Sequence, residues 1–131
     1  MSIQKIIGEY WNELIASDSE DTFRYLVELS DGESVSKFAI SRYKESESNS
    51  EKNIALEVLK EIRNSFSECA IQEIALNAQS LEEWKDAIEA RIYSNEKTAV
   101  DFLKKEQMRY ESEGNKGMVA ECERLIVELT P

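Results

Sequence analysis

The sequence predicts an all-α protein of about eight helices, stacked as antiparallel pairs. Apolar residues recur at the i, i+3, i+4, i+7 spacing of amphipathic helices along most of the chain. A serine followed three residues later by glutamate, a signature of helix amino termini, precedes several of these apolar stripes. The only proline is the last residue, Pro131, so no proline interrupts a helix.

The first part of the chain is predicted to form three helices. Their predicted ranges are 3–16, 20–29 and 34–45. The first helix carries one apolar stripe, formed by Ile3, Ile6, Ile7, Tyr10, Trp11, Leu14 and Ile15. Ser17 and Glu20 match the capping-box pattern and predict the start of the second helix. The Asp31-Gly32 pair predicts a break before the third helix.

A β-hairpin over residues 22–43 is the alternative for this region. Phe23, Tyr25, Val27 and Leu29 occupy alternate positions, and the following SDGES segment would serve as a hairpin loop. The second half of such a hairpin would have no apolar side, because apolar and polar residues mix on both of its faces. We therefore favour two helices.

Further helices are predicted after a polar connection at residues 45–50. Capping-box patterns predict three helix starts: Ser48 with Glu51, Ser65 with Glu68, and Ser80 with Glu83. Residues 96–112 carry another apolar stripe, and Gly114 and Gly117 predict a stop after it, because glycine tolerates the left-handed conformation that ends helices. The last helix aligns Met118, Val119, Cys122, Leu125, Ile126 and Leu129.

Residues 53–78 resemble a helical hairpin of the HEAT-repeat family. In that family the first helix carries a short alanine, leucine and isoleucine pattern, and the second a broad apolar face. The matching residues are Ala55, Leu56, Leu59 and Ile62, followed by Ala70, Ile71, Ile74 and Ala75. The proline and the aspartate–arginine ladder common in such repeats are missing. The resemblance implies stacked helical pairs with a concave protein-binding surface; an irregular helical bundle is the alternative.

Length and composition predict one domain over residues 1–131. The apolar fraction of 41% and the charged fraction of 33% are typical of a folded, charge-rich protein. The sequence has no run of about 18 apolar residues that would predict a membrane span, and its amino terminus lacks the pattern of a signal peptide. Cys69 and Cys122 form no disulfide framework, so we expect a reducing, cytoplasmic environment.

The strong negative charge of the chain disfavours some classes of binding partner and favours others. The chain has 27 acidic and 16 basic residues, a formal net charge of −11. Such a surface repels nucleic acid and anionic lipid, because phosphate binding depends on lysine and arginine. Complementary charge instead favours encounter with a basic protein. We therefore expect a basic protein partner, with no nucleic acid and no membrane, and the competing interpretation is a surface that is acidic only for solubility.

Residue types that carry common catalytic chemistry are scarce. The sequence has no histidine, so the most frequent general base is absent. Because it also has only two cysteines, it cannot form the usual zinc sites. Its four glycines form no phosphate-binding loop, and its acidic segments lack the residue order of a calcium-binding EF-hand. Carboxylates are so frequent that neighbouring pairs arise by chance. The sequence therefore predicts no enzyme, no metal and no cofactor.

The acidic segment at residues 17–34 is the candidate partner-binding site. Its carboxylates surround a short apolar and aromatic run in which Arg24 is the only cation. In the helical interpretation Tyr25 lies off the apolar stripe and beside acidic residues, as an interface anchor within a charged rim would. The candidate binding residues are Asp18, Glu20, Asp21, Tyr25, Glu28, Asp31 and Glu33.

In general character the chain is similar to bacterial immunity proteins, which are small, acidic and without catalytic motifs. That similarity implies an inhibitor that neutralises a cationic toxin, such as a nuclease, by occluding its active site or an essential surface. The alternative function is a helical-repeat scaffold or adaptor that binds a peptide or helix of another protein.

Overall fold

The computed structural model describes residues 2–29 and 31–130, and within these ranges the chain forms eight α-helices and no strand. The helices are α1 (Ile3–Ser17), α2 (Glu20–Glu28), α3 (Gly32–Glu45), α4 (Asn49–Ile62), α5 (Ser65–Leu76), α6 (Leu81–Ser94), α7 (Glu96–Ser112) and α8 (Lys116–Leu129). The all-α prediction is confirmed. The β-hairpin alternative over residues 22–43 is wrong, because α2 and α3 cover this region.

The predicted start of α2 at residue 20 is confirmed, but its N-cap lies two residues from the predicted one. Ser19, not Ser17, caps the helix, and its hydroxyl accepts the Thr22 backbone N–H. Ser17 lies in the last turn of α1, where its hydroxyl donates to the Glu13 carbonyl. Ser17 is still helical, so it cannot take the extended backbone conformation that an N-cap requires.

The other predicted helix starts are partly confirmed. Ser48 and Ser80 accept the backbone N–H groups three residues later, as capping serines do. The predicted cap at Ser65 is wrong: the preceding Asn64 caps α5 and forms a reciprocal capping box with Ser67. Asparagine is as good an N-cap as serine, because its side-chain oxygen also accepts the backbone N–H of the residue three positions later.

Helices α1 to α6 form the first of two compact units, residues 1–94. Three hairpins, α1/α2, α3/α4 and α5/α6, are closed by connections of two to four residues at 18–19, 46–48 and 77–80. Such short connections make the paired helices antiparallel. The hairpins then stack in two layers: α3 contacts α1 and α5 on one side of the unit, and α4 contacts α2 and α6 on the other.

Contacts between equivalent ends show that helices within a layer run parallel. Near their carboxyl ends, Lys44 of α3 pairs with Glu73 of α5, and the Ser94 hydroxyl of α6 donates to the Lys60 carbonyl of α4 at 3.2 Å. At their amino ends, Gly32 of α3 lies against the Asn64 cap of α5. The unit is therefore a stack of helical hairpins, whereas its membership of the HEAT family stays a prediction.

Helices α7 and α8 form the second unit, residues 95–131. Gly114 ends α7 in a left-handed conformation with φ of +73°, and the next N–H group, from Asn115, donates to the Tyr110 carbonyl. Gly117, which was predicted as part of the same stop, lies in the first turn of α8. The prediction of one domain over residues 1–131 stays a prediction. Among the described residues, no helix combines the length and the apolar character needed to cross a bilayer.

Candidate partner-binding surface

Two grooves flank α4 on the layer that it forms with α2 and α6. We call them the α4 grooves. The groove between α2 and α4 holds one depression of about 380 Å³. The groove between α4 and α6 holds two, of about 400 and 480 Å³. All three depressions include Asn53, which is exposed at the middle of α4.

The polar side chains of the groove between α4 and α6 form one row along each helix, because they recur at helical spacing. Asn49, Asn53, Glu57 and Lys60 follow one another every three or four residues on the outward face of α4. The same spacing on α6 presents Glu82, Asp86, Glu89 and Tyr93. Because α4 and α6 run parallel, the two polar rows face the same groove from end to end.

The α4 grooves carry a large excess of negative charge. Two ammonium groups line them, from Lys52 and Lys60. Seven carboxylates line them: Asp18, Glu20, Glu57, Glu82, Glu83, Asp86 and Glu89. The first unit as a whole is also acidic, since residues 1–94 contain 19 acidic and 10 basic side chains and so carry nine of the eleven net negative charges.

Most of the groove carboxylates have no cation of their own. Within the described residues Asp18, Glu82, Asp86 and Glu89 form no ion pair. Glu57 pairs with Lys60 at 3.1 Å, and Glu20 lies 4.0 Å from Arg24. Both carboxylates are exposed, so these pairs are weak and the carboxylates can bind a cation of a partner instead.

Apolar side chains line two of the three depressions, whereas the third, at the Glu82 end, is lined by polar and charged side chains and Tyr43. The groove between α2 and α4 is floored by Leu14, Phe23 and Ile54, and its rim holds the acidic residues. Leu56 and Ala90 floor the other groove. An apolar floor beneath a carboxylate rim suits lysine and arginine, whose methylene stems pack on apolar surface while their charged ends reach outward.

Two basic side chains lie at the Tyr93 end of the groove between α4 and α6. The ring of Tyr93, which is 47% exposed, has the Lys60 ammonium 4.8 Å and the Arg63 guanidinium 4.5 Å from its centre. Arg63 ends α4 in a left-handed conformation. The groove therefore runs from a strongly acidic end at Glu82 to an aromatic and basic end at Tyr93.

A polar pocket of about 230 Å³ adjoins the acidic end. Tyr43 and Glu83 form the wall between this pocket and the groove, and the Tyr43 hydroxyl donates to Glu83 at 3.0 Å. Burial, together with the hydrogen bond to the Glu83 carboxylate, raises the pKa of Tyr43. Tyr43 therefore stays protonated and holds Glu83 in place, and the backbone N–H of Gln79 also donates to this carboxylate. Among the described residues no group of three acidic or cysteine side chains is arranged to hold a metal.

Two of the seven predicted binding residues, Asp18 and Glu20, line the α4 grooves. Asp18 occupies a left-handed position at the carboxyl end of α1, and Glu20 opens α2. Asp21 and Glu28 are exposed on α2 outside the grooves. Tyr25 is 57% exposed, and its ring lies 6.0 Å from that of Tyr10 on α1.

The last two predicted residues have local structural roles. Asp31 caps α3: its carboxylate accepts the backbone N–H of Ser34 at 3.0 Å and the hydroxyl of the same residue at 2.8 Å. The backbone hydrogen bond lowers the pKa of Asp31. Glu33 pairs with Lys37 one turn later at 3.0 Å. The seven predicted binding residues of the acidic segment therefore do not form one surface.

The sequence-based choice of binding residues missed the other five carboxylates of the lining: Glu57, Glu82, Glu83, Asp86 and Glu89. Their spacing on the polar faces of α4 and α6 is visible in the sequence, but it is shared with any solvated helix face. Only the parallel packing of α4 beside α6 brings them to one groove. No protein-family model matches the chain, and no curated protein or solved structure is significantly similar to it.

Proposed function

We propose that this chain is a non-enzymatic binding protein whose α4 grooves receive a cationic segment of a partner protein. The observation that carries the proposal is the charge of these grooves, in which seven carboxylates and two lysines line the three depressions. A basic segment would neutralise Asp18, Glu82, Asp86 and Glu89, which no cation among the described residues pairs. Complementary charge of this kind raises association rates and selects against acidic partners.

The partner class that we propose is a cationic toxin, such as a nuclease, that the chain neutralises as an immunity protein. A nuclease binds phosphates through lysine and arginine side chains. A row of carboxylates along α4 and α6 offers those side chains an alternative set of anionic partners. Occupation of the grooves would then block the toxin's active site or another surface that it needs.

The second candidate is an adaptor that carries a peptide or helix of another assembly. The stack of parallel hairpins in the first unit favours this function, because stacked helical pairs commonly present extended binding surfaces. An adaptor of this type would bind through apolar area, so its affinity would depend weakly on salt. The inhibitor function predicts a steep salt dependence.

Affinity capture with a matched pair of variants tests the proposal. In the groove variant, Asp18→Asn, Asp86→Asn and Glu89→Gln remove three charges from the grooves. In the control variant, Asp101→Asn, Glu111→Gln and Glu123→Gln remove three charges from exposed positions of the second unit. Both variants therefore change the net charge by the same amount.

The immobilised chain captures proteins from nuclease-treated lysate of the native organism, and a rising salt gradient elutes them. The activity of each eluted protein is then measured in the presence and in the absence of the chain. We expect a basic protein that the wild type and the control variant retain and inhibit, and that the groove variant releases at lower salt. A partner that all three proteins retain equally up to high salt would contradict the groove function and support the adaptor.

A further inference from the structure

The α1/α2 hairpin lies at one end of the stack and leaves a packing surface uncovered. One side of this hairpin packs on α3 and α4, and there Ile7, Trp11 and Leu26 are buried. Five further apolar or aromatic side chains of the hairpin, the last of them at the C-cap of α2, remain half-buried or exposed beside this packed side. We call these residues the end face: Ile3, Ile6, Tyr10, Tyr25 and Leu29. Stacked hairpins gain stability from the neighbours that they pack on, so the end of a stack is a natural docking position for a further helix.

Two tyrosines form the centre of the end face. The rings of Tyr10 and Tyr25 are 6.0 Å apart, with their planes tilted by 33°. Ile6 lies one turn before Tyr10 on the same side of α1. Exposed tyrosine is enriched at the energetic centres of protein interfaces, because it buries a large apolar area and keeps a hydroxyl for hydrogen bonding.

Carboxylates surround this aromatic centre. Asp21 and Glu28 lie four residues before and three residues after Tyr25, and Glu13 lies three residues after Tyr10. All three are exposed, and within the described residues none of them forms an ion pair. The cations of this hairpin are Lys5 and Arg24, and Arg24 lies 4.0 Å from Glu20.

We propose that the end face docks a cationic amphipathic helix of a partner protein. The helical form follows from the shape of the site, because two adjacent helices offer ridges and grooves into which a third helix packs. The cationic flanks follow from the carboxylate rim. A second copy of this chain is the less favoured occupant, because its end face would bring a second carboxylate rim against the first.

This inference goes beyond the proposed α4-groove function, and the two surfaces can be tested separately. The probe is a fluorescein-labelled 18-residue peptide of leucine and lysine whose leucines fall on one helical face. The comparison peptide has the same composition, with the leucines spread around the helix. Binding is measured by fluorescence anisotropy to the wild type, to Tyr25→Ala, to the groove variant, and to Met108→Ala, a control at a side chain that is 68% exposed in the second unit.

We expect the patterned peptide to bind at least about tenfold more tightly than the comparison peptide, and Tyr25→Ala to weaken it at least about fivefold. Met108→Ala should change the affinity by less than about twofold. Equal binding of both peptides, or an unchanged affinity for Tyr25→Ala, would overturn the end-face inference. If only the groove variant lost binding, the end-face inference would also be overturned, and the proposed α4-groove function would still hold.

Discussion

Trp11 and Glu51 are joined by a hydrogen bond of 2.8 Å from the indole nitrogen to a carboxylate oxygen, although 40 residues separate them in the sequence. The same carboxylate accepts two hydrogen bonds from the Arg42 guanidinium, at 3.1 and 2.9 Å. The Trp11 ring also packs at an angle on Phe38, with ring centres 5.5 Å apart. Glu51 of α4 therefore connects α1 and α3 to α4 through hydrogen bonds. These bonds hold the α3/α4 hairpin in position, and α4 separates the two α4 grooves.

Removal of the Glu51 carboxylate should destabilise the first unit. Glu51 is only 7% exposed, so Glu51→Ala leaves the buried indole N–H of Trp11 without its acceptor and leaves Arg42 with Glu45, 3.5 Å away, as its remaining carboxylate. We expect a loss of about 2–3 kcal/mol in the free energy of unfolding, below the full value for a buried ion pair because Arg42 remains partly hydrated. Urea unfolding followed by tryptophan fluorescence measures this loss.

Glu57→Ala is the matched control, because Glu57 lies on the same helix and its carboxylate is exposed. Its effect should stay within about 0.5 kcal/mol. Equal effects of the two substitutions would contradict the structural role assigned to Glu51.

The stability that Glu51 contributes should depend on pH. Hydrogen bonding to Arg42 lowers the pKa of Glu51 from its usual value near 4.5 to about 2 in the folded chain. Because the folded pKa lies below the unfolded one, the contribution is complete above about pH 5 and is lost as the pH falls toward 2. The difference in unfolding free energy between the wild type and Glu51→Gln should therefore shrink across this range. A difference that stays constant from pH 6 to pH 3 would contradict a charged Glu51–Arg42 pair.

Alanine substitutions at two glycines should have opposite effects on stability. A methyl group at Gly32 would lie far inside van der Waals contact of the Asn64 amide nitrogen, and Asn64 is held by the cap of α5. Gly32→Ala should therefore cost about 1 kcal/mol, the typical value of a lost cap. Gly8 lies within α1 with no atom near the added methyl group, so Gly8→Ala should stabilise the chain by about 0.5–1 kcal/mol. Thermal unfolding of both variants checks the signs, and a stabilising Gly32→Ala would refute the close approach.

The sequence was sufficient to predict the helices and insufficient to predict which of them form one surface. Helical periodicity is a local property, so it placed all eight helices. The cap of α2 was missed because Ser17 and Ser19 both suit a cap, and the choice depends on where α1 ends. Asp18 and Glu20, which the sequence suggested as binding residues, line one of the α4 grooves, and Glu57 and Asp86 join the acidic lining only through the packing of α4 between α2 and α6.

The acidic α4 grooves are the central claim, and a titration with a defined cation tests them most directly. The binding of fluorescein-labelled nona-arginine is measured by anisotropy at low and high salt, for the wild type, the groove variant (Asp18→Asn, Asp86→Asn, Glu89→Gln) and the control variant (Asp101→Asn, Glu111→Gln, Glu123→Gln). At low salt we expect the groove variant to bind about tenfold more weakly and the control variant to stay within about twofold of the wild type. High salt should remove most of the difference. Equal weakening of both variants would show that only net charge matters and would contradict a site in the α4 grooves.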